Sequence, residues 1–169
     1  MANPASMNDA EIAAFLNERG LSMQLATLGA NGYPHLSAMW YVFMDGRLYF
    51  NTYISSQKGL NLTRDPRVSC MVEAGKQYQE LRGVVIQGKV VLVTEPAEWE
   101  TVSKELIRRY PMPTPTITPE IMLENVRRTT KRKLFRVEPE HTYSWDHGKS
   151  AAAKPRKDDG TDRKTYVQG

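Results

Sequence analysis

Thr52, Ser55, Ser56 and Lys58 crowd into one stretch, NTYISSQKGLNLTRDP, just ahead of a short helical segment that Asp65-Pro66 halts. Three hydroxyls and an ammonium can serve one of two ends there. They can cap a helix on a solvated loop. Alternatively they can seat an anion, because a helix start offers unpaired N–H groups and the positive end of its dipole. Hydroxyls add donors, and lysine adds charge-assisted bonds. A lysine in a first helical turn opposes the dipole, and a bound phosphate would repair that mismatch.

The rest of the chain shows no side-chain machinery for catalysis. It has no G-x-G-x-x-G, no Walker loop, no H-E-x-x-H and no cysteine pair. His35, His141 and His147 are dispersed without metal-ligand spacing, and no Ser-His-Asp arrangement emerges. Cys70, the single cysteine, sits in the apolar run VSCMV and reads as a small core residue. Any chemistry therefore belongs to a bound cofactor.

The chain's 169 residues suit one domain with one core. No apolar run approaches the roughly 18 residues of a membrane span, the N-terminus lacks a basic n-region, and the chain reads as cytoplasmic. The formal charge of +4 is largely a property of Lys149–Gly169, whose six Lys/Arg exceed its three Asp. The expected organisation is a folded domain over 1–148 and a basic polar tail over 149–169. A nearly neutral body gives little support to nucleic-acid binding.

Asn8 and Glu11 form a capping-box start for the helix DAEIAAFLNER, with Gly20 as its stop. The period then changes to two. LSMQLATL, YPHLSAMWYVF and RLYFNTY read as three strands joined by the turns GANG and MDGR, an antiparallel meander. RVSCMVEAG and ELRGVVIQGKVVLVTE add two strands, the latter with Gly83 and Gly88 as bends or close approaches. EPAEWETVSKELIRRY is a helix with its arginines late, PMPTPTITP a stiff loop, and PEIMLENVRRTTKR a third helix. KLFRVEPEHTYSWD closes the sheet. The fold class is mainly β with flanking helices, a small antiparallel barrel.

The order of these pieces carries a resemblance. A strand, NGYP, a strand, DGRLYFNT, then S-x-K-x-x-N-L-x-R-D-P-R-V and LRGVVIQGKV is similar to the pyridoxamine 5′-phosphate oxidase-like split-barrel flavoproteins, in the branch using FMN or coenzyme F-420. It covers roughly Leu21 to Thr94. The resemblance implies a split β-barrel, a homodimer and a cofactor at the subunit interface. It puts the ring-lining strand on Ser37, Ala38, Met39, Trp40, Tyr41 and Val42, and the phosphate side on Asn51, Thr52, Ser56 and Lys58. Trp145 stands in the closing strand, where the family contributes residues to the other subunit's site; it is either a pocket wall or plain packing. Along Leu36, Ala38, Trp40 and Val42 the default is packing, which leaves Met39 and Tyr41 toward ligand or solvent.

Two departures from the pattern matter. Gly83 replaces the glutamine of the oxidases proper, and their terminal arginine clamp for pyridoxamine phosphate is missing, which argues against that activity. Arg64, Arg67, Arg108, Arg109, Arg127 and Arg128 could meet the acidic tail of F-420, or merely satisfy helix dipoles. Arg64 and Arg67, just past the seat, tilt the expectation toward F-420 over FMN. The reading is an oxidoreductase passing a hydride to or from a small organic substrate. The alternatives are a flavin carrier or sensor, a haem binder on the same fold, and a nucleic-acid binder acting through the tail.

Overall fold

The structure is a computed structural model describing residues 5–111, 120–121, 123–124 and 131–149. The expected third helix and the arginines at 127 and 128 fall largely outside them, as does the tail beyond Lys149.

Helix α1 (Asp9–Leu16) begins with the expected capping box: Asn8 accepts from the Glu11 N–H, and Glu11 accepts from the Asn8 N–H. The strands are β1 (Met23–Leu28), β2 (Pro34–Met39), β3 (Val42–Met44), β4 (Arg47–Tyr53), β5 (Arg67–Ala74), β6 (Arg82–Leu92) and β7 (Arg132–Asp146). Helix α2 (Gln57–Arg64) lies between β4 and β5, and α3 (Pro96–Arg109) follows β6. All pairings are antiparallel, in the order β2-β1-β5-β6-β7-β4-β3. One curled sheet results, a split barrel.

This order corrects the expected meander. YPHLSAMWYVF is not one strand. It breaks at Trp40-Tyr41, so that β2 forms one edge of the sheet and β3 the other. The cause is tertiary. Trp40 stacks on Tyr110, with ring centroids 4.9 Å apart and planes within 4°. The Tyr41 N–H donates to Tyr110 Oη at 3.3 Å, and Tyr41 Oη donates to the Leu16 carbonyl at 2.8 Å. These contacts pull the backbone out of the ladder for two residues. The two turns form as expected, and the MDGR turn places Asp45 and Gly46 both at positive φ.

The barrel interior holds Met23 and Leu25 from β1, Leu48 and Phe50 from β4, Val68, Cys70 and Val72 from β5, Val84 and Ile86 from β6, and Phe135 and Val137 from β7. Phe15, Leu16 and Leu62 close it from α1 and α2. On the outer face α3 sets Val102 and Leu106 against Val42, Tyr49 and Leu134. Strand β4 is therefore covered on both sides. Gly88 marks a bulge where β7 crosses closely: a Cβ there would fall 2.1 Å from the Glu138 carbonyl oxygen.

Candidate functional site

Helix α2 packs against β1, β2 and β4, so it bridges the split where the two ends of the sheet approach. It is held by its interior face. Asn61 is fully buried, and its amide donates to Thr27 Oγ1 at 3.0 Å. Gly59 is required by close approach, since a Cβ there would meet the Tyr53 carbonyl oxygen at 2.4 Å. The helix start thus lies directly against the end of β4.

Ser56 is the N-cap, its hydroxyl accepting from the Gly59 N–H at 3.3 Å and donating to the Tyr53 carbonyl at 2.6 Å. That donation uses its only proton, so in the 3.2 Å contact with Thr52 Oγ1 it is the threonine that donates. Of the three hydroxyls that the sequence nominated for an anion, Ser56 is engaged in capping and Thr52 is engaged with Ser56. What remains open is the N–H of Gln57, the N–H and ammonium of Lys58, and the Ser55 hydroxyl. None of these has a partner among the described residues. The arrangement suits a phosphate: two first-turn N–H groups with one unpaired ammonium. Asn51 sits beside Thr52 on β4, paired across to Leu134.

On β2 the expected faces are exchanged. Leu36 is 68% exposed and Trp40 51%, and Ala38 is exposed with them, whereas Met39 packs on the core. Tyr41 and Val42 are buried within the core clusters, so their side chains face neither ligand nor solvent. Burial pushes the Tyr41 phenol up to about 12, against the pull of Arg109. Ser37 points inward, its Oγ buried and without a hydrogen-bond partner.

Trp145 is placed elsewhere. It pairs with Gly83 across β6 and β7, and its indole covers that glycine. It lines a cavity of about 930 Å³ together with Met7, Asp9 and Ile12 near α1, Phe43 from β3, and Tyr143. No residue of α2, β2 or the phosphate seat lines this cavity. Within one chain the structure brings Thr52, Ser56 and Lys58 together but leaves Trp145 apart.

The arginines proposed for an acidic cofactor tail are mostly engaged. Arg67 forks onto Asp65 at 2.6 Å and holds that carboxyl down at about 2. Arg64 donates to the Leu28 carbonyl and to Asn61. Arg108 pairs with Glu105. Arg109 is buried, its Nη2 facing the Leu16 and Glu18 carbonyls at 2.9 and 2.6 Å and Tyr41 Oη at 3.1 Å. Arg109 is a structural clamp on the loop after α1, and the case for F-420 over FMN that rested on a free basic exit loses its support. The sequence also passed over Tyr110. Its only local signal was a tyrosine following two arginines at a helix end, because its partners lie tens of residues away.

A seven-stranded antiparallel split barrel bridged by a short helix defines a protein of the pyridoxamine 5′-phosphate oxidase-like superfamily. The family profile described as pyridoxamine 5′-phosphate oxidase matches residues 9–146, and the chain belongs to that family. Among solved structures it is similar to the conserved hypothetical protein Rv2991 from Mycobacterium tuberculosis, with 36% identity and a TM-score of 0.77, covering 100% of this chain and 97% of that one. It is also similar to an F420 reductase at 25% identity and TM-score 0.56, covering 76% and 93% of the two chains. The haem storage protein HutZ from Vibrio cholerae shares the fold at 23% identity and TM-score 0.64, with 83% and 97% covered. No curated protein matches the chain. No helix among the described residues is long and apolar enough to cross a membrane.

Proposed function

We propose that the protein is an oxidoreductase that binds F-420 or FMN and passes a hydride to or from a small organic substrate, working as a homodimer. The observation that carries this reading is the unpaired Lys58 ammonium in the first turn of α2, beside two open N–H groups. Structural necessity does not account for a cation there, since it opposes the helix dipole and contacts no carboxylate among the described residues. A phosphate does account for it, and both cofactors carry one. The 25% identity to an F420 reductase supports the same reading.

The tricyclic ring, when bound, supplies the hydride chemistry. This chain's residues would hold the phosphate at Gln57 and Lys58, flank the ring with the open face of β2, and exclude water. Trp145 lines a cavity separate from the α2 seat. If one site uses both, it draws them from two copies of the chain, as the homodimer reading requires.

The test is titration of the apo-protein with FMN and with F-420, at low and moderate salt. Micromolar or tighter binding of either, weakened by Lys58→Ala, is expected. Binding of neither, or a Soret band on adding haem instead, removes the reading.

A further inference from the structure

The residues behind Trp40 form a more fixed arrangement than packing of a half-exposed side chain needs. The indole stacks on Tyr110 with planes within 4°, so one face is covered while the residue remains 51% exposed. Tyr110 is itself held at its oxygen, which donates to the Leu21 carbonyl at 2.9 Å and accepts from the Tyr41 N–H and Arg109 Nε, both at 3.3 Å. Arg109 is anchored to the Leu16 and Glu18 carbonyls, and its guanidinium lies 4.7 Å from the Tyr41 ring centroid. Thus α3, the loop after α1 and the β2–β3 break all fix one tyrosine ring, and that ring fixes one tryptophan.

We infer that Tyr110 is a positioning residue. It holds the Trp40 indole at the end of the open β2 face so that the free side of the indole stacks a planar heteroaromatic ring. The inference rests on the reading that β2 flanks a bound tricyclic cofactor. Three observations support it. Leu36, Ala38 and Trp40 make a continuous exposed row along β2, ending at the indole. A stacked aromatic held from behind loses little conformational freedom on binding, and that preorganisation adds affinity. Finally, the break that carries the chain from the β2 edge to the β3 edge also sets Trp40 and Tyr41 against Tyr110.

The experiment uses the full chain labelled with 5-fluorotryptophan, whose three ¹⁹F resonances are assigned by single Trp→Phe variants. FMN and F-420 are the probes. The Trp40 resonance is expected to shift on cofactor addition. Tyr110→Leu should broaden that resonance and weaken binding about five- to tenfold, the usual worth of an aromatic pair. Tyr110→Phe keeps the ring but frees it from the Leu21, Tyr41 and Arg109 hydrogen bonds, so its loss of affinity should fall between the parent and Tyr110→Leu. Trp40→Leu, at a half-exposed position, gives the same loss as Tyr110→Leu without touching the buried network. Cofactor binding with a silent Trp40 resonance, or with unchanged affinity in Trp40→Leu, overturns this inference and leaves the oxidoreductase reading standing. Failure of the parent protein to bind either cofactor overturns both.

Discussion

The indole of Trp145 lies so close over Gly83 that a Cβ at position 83 would fall 2.2 Å from Cζ2 of the ring. The glycine is therefore the floor on which this wall of the 930 Å³ cavity rests. Gly83→Ala must push the indole away, at a cost of about 1–3 kcal/mol from overpacking, with a shift in Trp145 emission. Gly88→Ala meets a backbone oxygen that cannot rotate aside, and should cost about 3 kcal/mol or more. Urea unfolding of the two variants checks the order; equal losses would contradict it.

Ser56 and Lys58 separate a structural role from a binding one. Ser56→Ala removes the N-cap of α2 and should lower stability by about 1 kcal/mol. Lys58→Ala removes no contact among the described residues and relieves a charge that opposes the helix dipole, so its melting temperature should not fall. Its affinity for a phosphate-bearing cofactor should fall by about 1.5–3 kcal/mol. Calorimetric titration beside thermal melts distinguishes the two.

Arg109→Met leaves the Glu18 carbonyl without its buried donor and removes the guanidinium between two tyrosine rings. The expected loss is about 2–4 kcal/mol. Arg109→Lys should recover only part of it, because an ammonium cannot reproduce the fork. Denaturant midpoints at constant slope are the measurement.

Tyr41 gives a pH signature. Its phenol is raised from 10.0 to about 12 by burial. A group raised in this direction favours the folded state fully below pH 10, where both states are protonated. The contribution is lost as pH climbs from 10 through 12 and the unfolded chain ionises first. Over that window the parent should lose up to about 2–3 kcal/mol that Tyr41→Phe does not. Cys70, also raised to about 12, is common to both proteins and cancels in the comparison.

Truncation should discriminate sharply at one residue. Lys149 Nζ donates to the Ser6 carbonyl at 3.0 Å and to Glu11 at 2.5 Å, tying the residues just after β7 to the start of α1. Removing 150–169 should leave the melting temperature unchanged, and removing Lys149 as well should lower it slightly. A large loss from the shorter truncation would show that residues beyond 149 stabilise the fold.

What the sequence made legible was local. The capping box at Asn8, the two glycine turns and the alternation of Met23 and Leu25 depend on neighbours within a few positions, and each is found. The order of short motifs sufficed for the barrel. The break at Trp40-Tyr41 was not legible, because it is made by Tyr110 and Leu16 from distant parts of the chain. The same cause reversed the faces of β2: alternation shows that two faces exist, not which of them the barrel encloses. At the site, Lys58 and the Ser56 cap could be read from spacing. The capture of both hydroxyl protons depends on where the Tyr53 carbonyl points, and no residue pattern encodes that.

Strand β7 enters the sheet between β6 and β4, although it is the last strand to be made among the described residues. Until Arg132 and its successors are synthesised, the β3–β4 hairpin has no sheet to join, and β6 presents a bare edge. Tyr53 ends β4 79 residues before Arg132 begins β7, a delay of about 4–16 s at ordinary translation rates. Once Leu92 completes β6, and until β7 follows, the nascent chain consists of a four-stranded half and an orphan hairpin, each offering unpaired backbone to any neighbouring chain. The C-terminal strand is the keystone of synthesis as well as of architecture. A ribosome stalled before it should therefore hold a protein that aggregates rather than one that is merely incomplete.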